Sequence, residues 1–397
     1  MKYNWSTKKL GEVCEIVRSG ITPFDGEKEY IDTNSVQNFS IIKSQPITYL
    51  KRPSRANMEP RANDVLVAKM ADTVKVYLAT SEDEKKLIFS TGFFILRPKN
   101  NLIIPNFLFF YCASNLFQDL KDILARGSTQ KALNDEKLKK YFEIPLPPLK
   151  IQKRIVARIE ELFEKIDKAK ELREKTQKQT ATIFPAALQE VFRKAEKKWG
   201  DKKLEEISNI FAGSSAPQGQ KYFENGKYPF VRVQDLGRYG KTKNLVKIKD
   251  KVNDLALKEH HLVFAKKGTI LFPKSGAAIL TNSRAILAID AYIVGHLAAI
   301  IPDQSTVLTD WVFYWLYQFD MAELTKTTAL PSLRLSQIKK LQIPLPPLAE
   351  QKKIVAHLDN LREKVEKLKQ LQEEQLKNLE ELKKSILDAA FKGELVK

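Results

Sequence analysis

At 397 residues, 43% of them hydrophobic and 29% charged, the chain is long enough for two domains of ordinary size plus an extended charged element. Its 67 Lys and Arg against 48 Asp and Glu leave a net charge of +19, which makes nucleic acid the first partner to consider, although a Lys/Glu-rich solvated surface would account for the charged fraction alone. Two distant cysteines, Cys14 and Cys112, give no disulfide framework and no zinc pair, and MKYNWSTKKL carries no apolar signal region, so a cytoplasmic location is expected.

The first unit opens with Trp5 and KKLGEVCEI, and the second repeats that opening with Trp199 and KKLEEISNI. A polar loop ending in proline follows in each, at Pro23 and Pro217. The phrases YIDTNSV (Tyr30 to Val36) and FVRVQDL (Phe230 to Leu236) alternate as strands do. NDVLVAKM and GTILFPKS form a further strand pair, each ending at a lysine, Lys69 and Lys274. The apolar run Ala285 to Ile301, broken by Asp290, Gly295 and His296, reads as two buried strands with a turn and not as a membrane span. An aromatic helix comes next in each unit, with Asn106 and Asp310 as candidate N-caps. Phe107, Phe110, Tyr111, Trp311, Tyr314 and Trp315 suit a core better than a base-stacking platform, because they fall at helical spacing beside other apolar residues.

The phrase IPLPPL closes each unit, at Ile144 to Leu149 and at Ile343 to Leu348. Its prolines separate globular unit from helix. The chain is therefore one plan used twice: an α/β unit over residues 1–143, a proline stop and central helix over 144–198, a second unit over 199–342, and a proline stop and C-terminal helix over 343–397.

Both long helices carry a narrow apolar stripe. Ile155, Ile159, Leu162, Ile166 and Ala169, then Ile183, mark the first; Ile354, Leu358, Leu361, Val365 and Leu368, then Leu379, Leu382 and Ile386, mark the second. Steps of four and three are those of a coiled coil. The middle heptads turn polar in both, at Arg173, Thr176 and Thr180 and at Gln372 and Gln375, and these centres face each other if the helices pair antiparallel. Two unpartnered surface helices are the alternative. The paired reading gives a pseudo-twofold repeat on a rod of about 35 residues, roughly 50 Å. Two unlike readers that far apart would address half-sites about 15 base pairs apart, at ~3.4 Å per pair.

The whole chain resembles the specificity subunit of a type I restriction-modification system. The resemblance rests on the order domain, helix, domain, helix, on IPLPPL, on the helix starts LKIQKRIVARIEEL and LAEQKKIVAHLDNL, and on the ending SILDAAFKGEL. It implies two homologous α/β target recognition domains separated by two long antiparallel coiled-coil helices. It also implies a non-catalytic subunit: each domain reads one half of a bipartite asymmetric target in double-stranded DNA, the helices set the spacer, and two adenine-methylating modification subunits dock on them, joined by restriction subunits in the full complex. S-adenosylmethionine, ATP and Mg belong, on this resemblance, to those partners. The isolated chain has exposed seams through which it could also homodimerise.

Side-chain chemistry and repeat position nominate DNA contacts, since Arg and Lys suit guanine or phosphate and Asn and Gln suit adenine. They are Asn34, Lys69, Arg126, Ser128, Gln130 and Lys131 in the first unit, and Arg232, Gln234, Arg238, Lys274, Ser275 and Arg334 in the second. Gly127 to Gln130 resembles the family's glycine-polar loop, whereas its counterpart near Leu330 lacks the glycine. Pro185 is expected to end or kink the first long helix. No methyltransferase motif or glycine-rich cofactor loop is found; Gly240-Lys241-Thr242 lacks the first glycine of a phosphate loop and reads as a turn. His260, His261, His296 and His357 lie at no metal-ligand spacing. A stand-alone DNA-binding coiled-coil scaffold, or a nuclease or methylase with an unrecognised site, are the competing readings.

Overall fold

The computed structural model describes residues 5–99, 101–126, 131–239, 243–319, 321, 324–325 and 332–396, with only the backbone of Arg238 and Tyr239. Its contacts divide the chain into Met1–Lys175 with Gln372–Lys397, and Thr176–Leu371. Each unit thus holds one globular part and the adjoining portions of two long helices, Leu149–Lys198 and Leu348–Phe391.

The first unit has a sheet in the order Cys14–Ile16, Phe93–Pro98, Val65–Ala68, Val76–Leu78, antiparallel throughout. A second runs Gln45–Ile47, Lys28–Ile31, Leu87–Ser90, Ala56–Met58, with a parallel pair at its centre. The second unit repeats both. Ser208–Ala212, Leu297–Pro302, Ile270–Pro273 and Ala285–Leu287 reproduce the first sheet, extended by Asn244–Leu245. Asp250–Val252, Tyr228–Val231, Ala291–Ile293 and Val263–Ala265 reproduce the second, parallel centre included. The opening phrases also do the same thing twice. Lys8 pairs with Ile144 and Lys202 with Ile343, so the start of each IPLPPL is a strand before it is a stop.

The aromatic helices, Pro105–Ala113 and Thr309–Tyr317, are core elements, and the six aromatics in question are all buried. They weld each globular part to both long helices. Phe107 and Tyr111 lie 5.0 and 5.6 Å from Phe391, and Phe110 lies 5.8 Å from Phe163. In the second unit Phe192 packs 4.7 Å from Trp311, and Phe184 5.8 Å from Tyr314. A buried glutamine completes each joint. Gln152 accepts from the Ile104 N–H and donates to the carbonyls of Leu102 and Pro147; Gln351 accepts from the Leu308 N–H and donates to those of Thr306 and Pro346. Proline cannot pair these turns through its own nitrogen, so one side-chain amide serves three backbone groups.

The helices pair antiparallel. In the first unit Lys383 pairs with Asp167, Lys170 with Glu380, and the Arg173 guanidinium donates to Gln375. That last bond brings together members of the two polar centres. Ile155, Ile159 and Ile166 are buried with Ile386, and Leu162 and Leu379 pack against the same cluster. In the second unit Leu358 and Val365 are buried in one cluster with Phe184, Leu188 and Phe192, and Ile354 and Leu361 pack against it.

Several expectations need correction. Leu368 is 40% exposed, because the inward stripe steps from Val365 directly to Gln372; Leu382 and Ile183 are likewise outward, with Phe184 buried in place of Ile183. Phe163 and Val156 are buried beside the expected positions. Pro185 does not end the first helix, which runs 50 residues to Lys198. Asn106 and Asp310 lie one residue inside their helices; the caps are Ile104 and Leu308, Asn106 donates to Glu160, and Asp310 pairs with Lys243. The run from Ala285 makes three strands in two sheets, not two strands. FVRVQDL is extended only at its start and turns helical at Val233.

Candidate nucleic-acid interface

In the first unit the site is built at the end of the strand Val65–Ala68. The Lys69 N–H donates to the Gly92 carbonyl at 2.9 Å, and the Lys69 carbonyl accepts from the Leu133 N–H at 2.9 Å. Ala71 donates in turn to the Lys131 carbonyl, and Met70 bridges Ala132. These bonds set Lys69 opposite Leu133 and Ala71 opposite Lys131, with Lys131 in the left-handed region at φ 49°. The Lys69 ammonium lies 4.6 Å from the Phe94 ring centre; burial pulls its pKa below the usual lysine value, against the opposing pull of Asp135. It lines a cleft of about 690 Å3 with Arg55, Thr91, Asn134 and Asp135.

A buried lysine supports the next turn from below. Lys121 donates to the carbonyls of Met70 and Thr73 and pairs with Asp122 at 3.1 Å. Burial lowers its pKa too, against Asp122. Arg126 is exposed but ion-paired with Asp72, at the tip of that turn. Asn34 is exposed on the one-turn helix Thr33–Ser35, which Lys75 fastens by donating to the Thr33 carbonyl. Asn34, Lys69, Arg126 and Lys131 therefore belong to connected turns around one strand end.

The second unit uses the same backbone device. The Lys274 N–H donates to the His296 carbonyl at 2.9 Å, its carbonyl accepts from the Leu333 N–H at 2.7 Å, and Ser275 bridges Ser332. Arg334 follows at once, exposed, at the N-cap of Leu335–Lys339. Arg232, Gln234, Ser275 and His296 line a cleft of about 450 Å3. Gln234 is exposed in the first turn of Val233–Tyr239. Arg232 is engaged within the protein: its guanidinium pairs with Asp250 and lies 5.2 Å from the Phe223 ring, and its N–H donates to the Asp235 carboxylate. The Ser275 hydroxyl is 2.6 Å from His296 Nδ1.

Two such sites thus stand on two repeats of one topology. Residues 2–177 and 196–378 match the family described as the type I restriction modification DNA specificity domain. The chain belongs to that family. A relative, the type I restriction enzyme MjaIX specificity subunit of Methanocaldococcus jannaschii, is 26% identical over 99% of this chain and 94% of that one. A chain from a solved structure concerned with complex assembly and conformational transition of the type I R-M system superposes with a TM-score of 0.80, at 29% identity and 98% coverage of both chains. The HsdS subunit of Thermoanaerobacter tengcongensis superposes at 0.62, with 28% identity over 99% of this chain and 98% of that one. This chain is a type I specificity subunit with two recognition domains.

Within these specificity domains some nominated positions lie outside the described residues: Ser128 and Gln130, the loop near Leu330 and Gly240-Lys241-Thr242, as does the side chain of Arg238. The sequence gives no sign of Arg55, which lines the cleft, or of Lys75 and Lys121, whose roles depend on backbone carbonyls that no side-chain pattern reveals. Nor does any sequence signal mark His296, whose partner Ser275 lies 21 residues earlier in the chain. Among the described residues no His, Cys, Asp and Glu cluster could hold a metal, and no helix is long and apolar enough to cross a membrane.

Proposed function

We propose that this chain is the non-catalytic, sequence-reading subunit of a cytoplasmic type I restriction-modification complex. Each specificity domain reads one half of a bipartite asymmetric target in duplex DNA. The paired helices set the length of the unread spacer and dock two modification subunits, which methylate adenine with S-adenosylmethionine. Restriction subunits using ATP and Mg join them in the full complex. One observation carries the reading: a single chain holds two copies of the specificity domain, with matched backbone frames and unlike side chains around the strand ends at Lys69 and Lys274. Like frames give a common way of approaching DNA, and unlike side chains give two different half-sites.

A tagged copy recovered from its native host tests this directly. The expected product contains a methyltransferase chain in excess over this one, methylates adenine with S-adenosylmethionine, and loses that activity when the partners are stripped away. Methylation or cleavage by the pure single chain would overturn the non-catalytic assignment, and recovery of the chain alone would favour a stand-alone scaffold.

A further inference from the structure

The two domains hold one backbone position in the same way and fill it differently. Lys69 donates to the carbonyl of Gly92, and Lys274 donates to the carbonyl of His296. Both acceptors sit in the turn that enters the long strand of the antiparallel sheet, ahead of Phe93–Pro98 in one domain and of Leu297–Pro302 in the other. In the first domain a side chain there is obstructed, since a Cβ on Gly92 would come within 2.9 Å of Thr33 Cγ2. In the second the position carries an exposed imidazole that lines the cleft beside Gln234 and Ser275.

We propose that His296 reads a base edge in the second half-site, with Ser275 as its positioning residue; this rests on the specificity-subunit reading above. The histidine backbone is fixed from both sides. Gly295 donates to the Ser214 carbonyl at 2.6 Å, Leu297 to the Val294 carbonyl at 3.0 Å, and the His296 carbonyl accepts from Lys274. Ser275 then occupies Nδ1 at 2.6 Å, which leaves Nε2 as the ring nitrogen for a ligand. The direction of that hydrogen bond and the tautomer of the ring are linked. When Ser275 donates to Nδ1, Nε2 carries the proton and donates to a purine N7 or to guanine O6; when Ser275 accepts, Nε2 is an acceptor for an exocyclic amine. An imidazole held this way discriminates between bases because a mismatched edge leaves it facing a group of its own kind. Ser275, nominated from sequence as a DNA contact, acts here through the histidine.

The test uses the complex recovered on the tagged full chain and a randomised duplex DNA library, with bound sequences read out for wild type, H296A, S275A and S275T. The expected result is a bipartite wild-type motif in which H296A loses about tenfold preference at one base pair of the second half, with the first half unchanged. S275A should lose part of that preference and S275T, which restores a hydroxyl, should recover it. Should H296A fail to assemble, H296Q keeps a polar side chain and is read in its place. A bipartite wild-type motif that H296A leaves intact at every position overturns the proposal alone. The absence of any bipartite motif with wild type overturns the specificity reading and this proposal together.

Discussion

Gln152 is fully buried, and its amide is the partner of three backbone groups at the joint between a globular part and a helix. Q152L is isosteric enough to pack but leaves the Ile104 N–H and two carbonyls unsatisfied, so it should lower unfolding free energy by roughly 3 kcal/mol. Urea denaturation of the full chain checks this, and a loss under about 1 kcal/mol would contradict it. Glu59 gives a pH prediction. Burial raises its carboxyl, but the Lys28 ammonium at 3.0 Å and the Thr22 N–H and hydroxyl outweigh that and hold its pKa below the usual carboxylate value. The folded value lies below the unfolded one, so the stabilisation is present above the ordinary glutamate pKa and is lost as pH falls through the folded pKa. E59Q should therefore lower stability at neutral pH and flatten the acid limb of the denaturation-midpoint profile. An acid limb as steep as that of wild type would refute this assignment. Residue-scale reading from sequence placed Lys69 and Lys274 at matched strand ends because the same strand-then-lysine pattern occurs in both repeats. It missed Lys121, since a lysine that supports carbonyls from inside looks like any other helix cation until the turn above it is known.

At the scale of elements, the long helices were legible as an antiparallel coiled coil because a 3.5-residue stripe persists whatever surrounds it. Individual seam members were less so. Leu368 and Ile183 fit the period but face outward, because the aromatic helices replace a simple helix-on-helix seam and draw Phe163, Phe184 and Phe192 inward. Short strands were legible where apolar residues alternate and lost where a buried carboxylate redirects the chain, as Asp235 does after Arg232. Pro185 illustrates tertiary override. The helix continues through it although the ring removes the donor for the Ala181 carbonyl, so packing against the aromatic helix must outweigh the local penalty. P185A should raise the unfolding free energy by about 2 kcal/mol, measured by denaturation of the full chain. An unchanged or lowered stability would mean that the ring itself is needed there.

For the whole molecule the governing quantities are the +19 charge and the internal repeat. A protein that neutralises roughly six to ten phosphates should lose about 10³-fold or more in DNA affinity between about 50 and 200 mM salt. K69A should reduce that salt slope by about one if Lys69 meets a phosphate, and leave base preference unaltered; an unchanged slope would remove it from the interface. The helices carry the second prediction. One heptad added after Lys175 and one after Leu371 should lengthen the unread spacer by about 3 base pairs, at ~1.5 Å per residue and ~3.4 Å per pair, and leave both half-sites as they were. A spacer of unchanged length would show that the helices do not set it. The most direct measurement of the central claim is a genome-wide map of methylated adenine in the native host with and without this gene. Deletion should erase one split, asymmetric motif, methylated on opposite strands in its two halves. A map that keeps every motif, or that loses a continuous one, would contradict it.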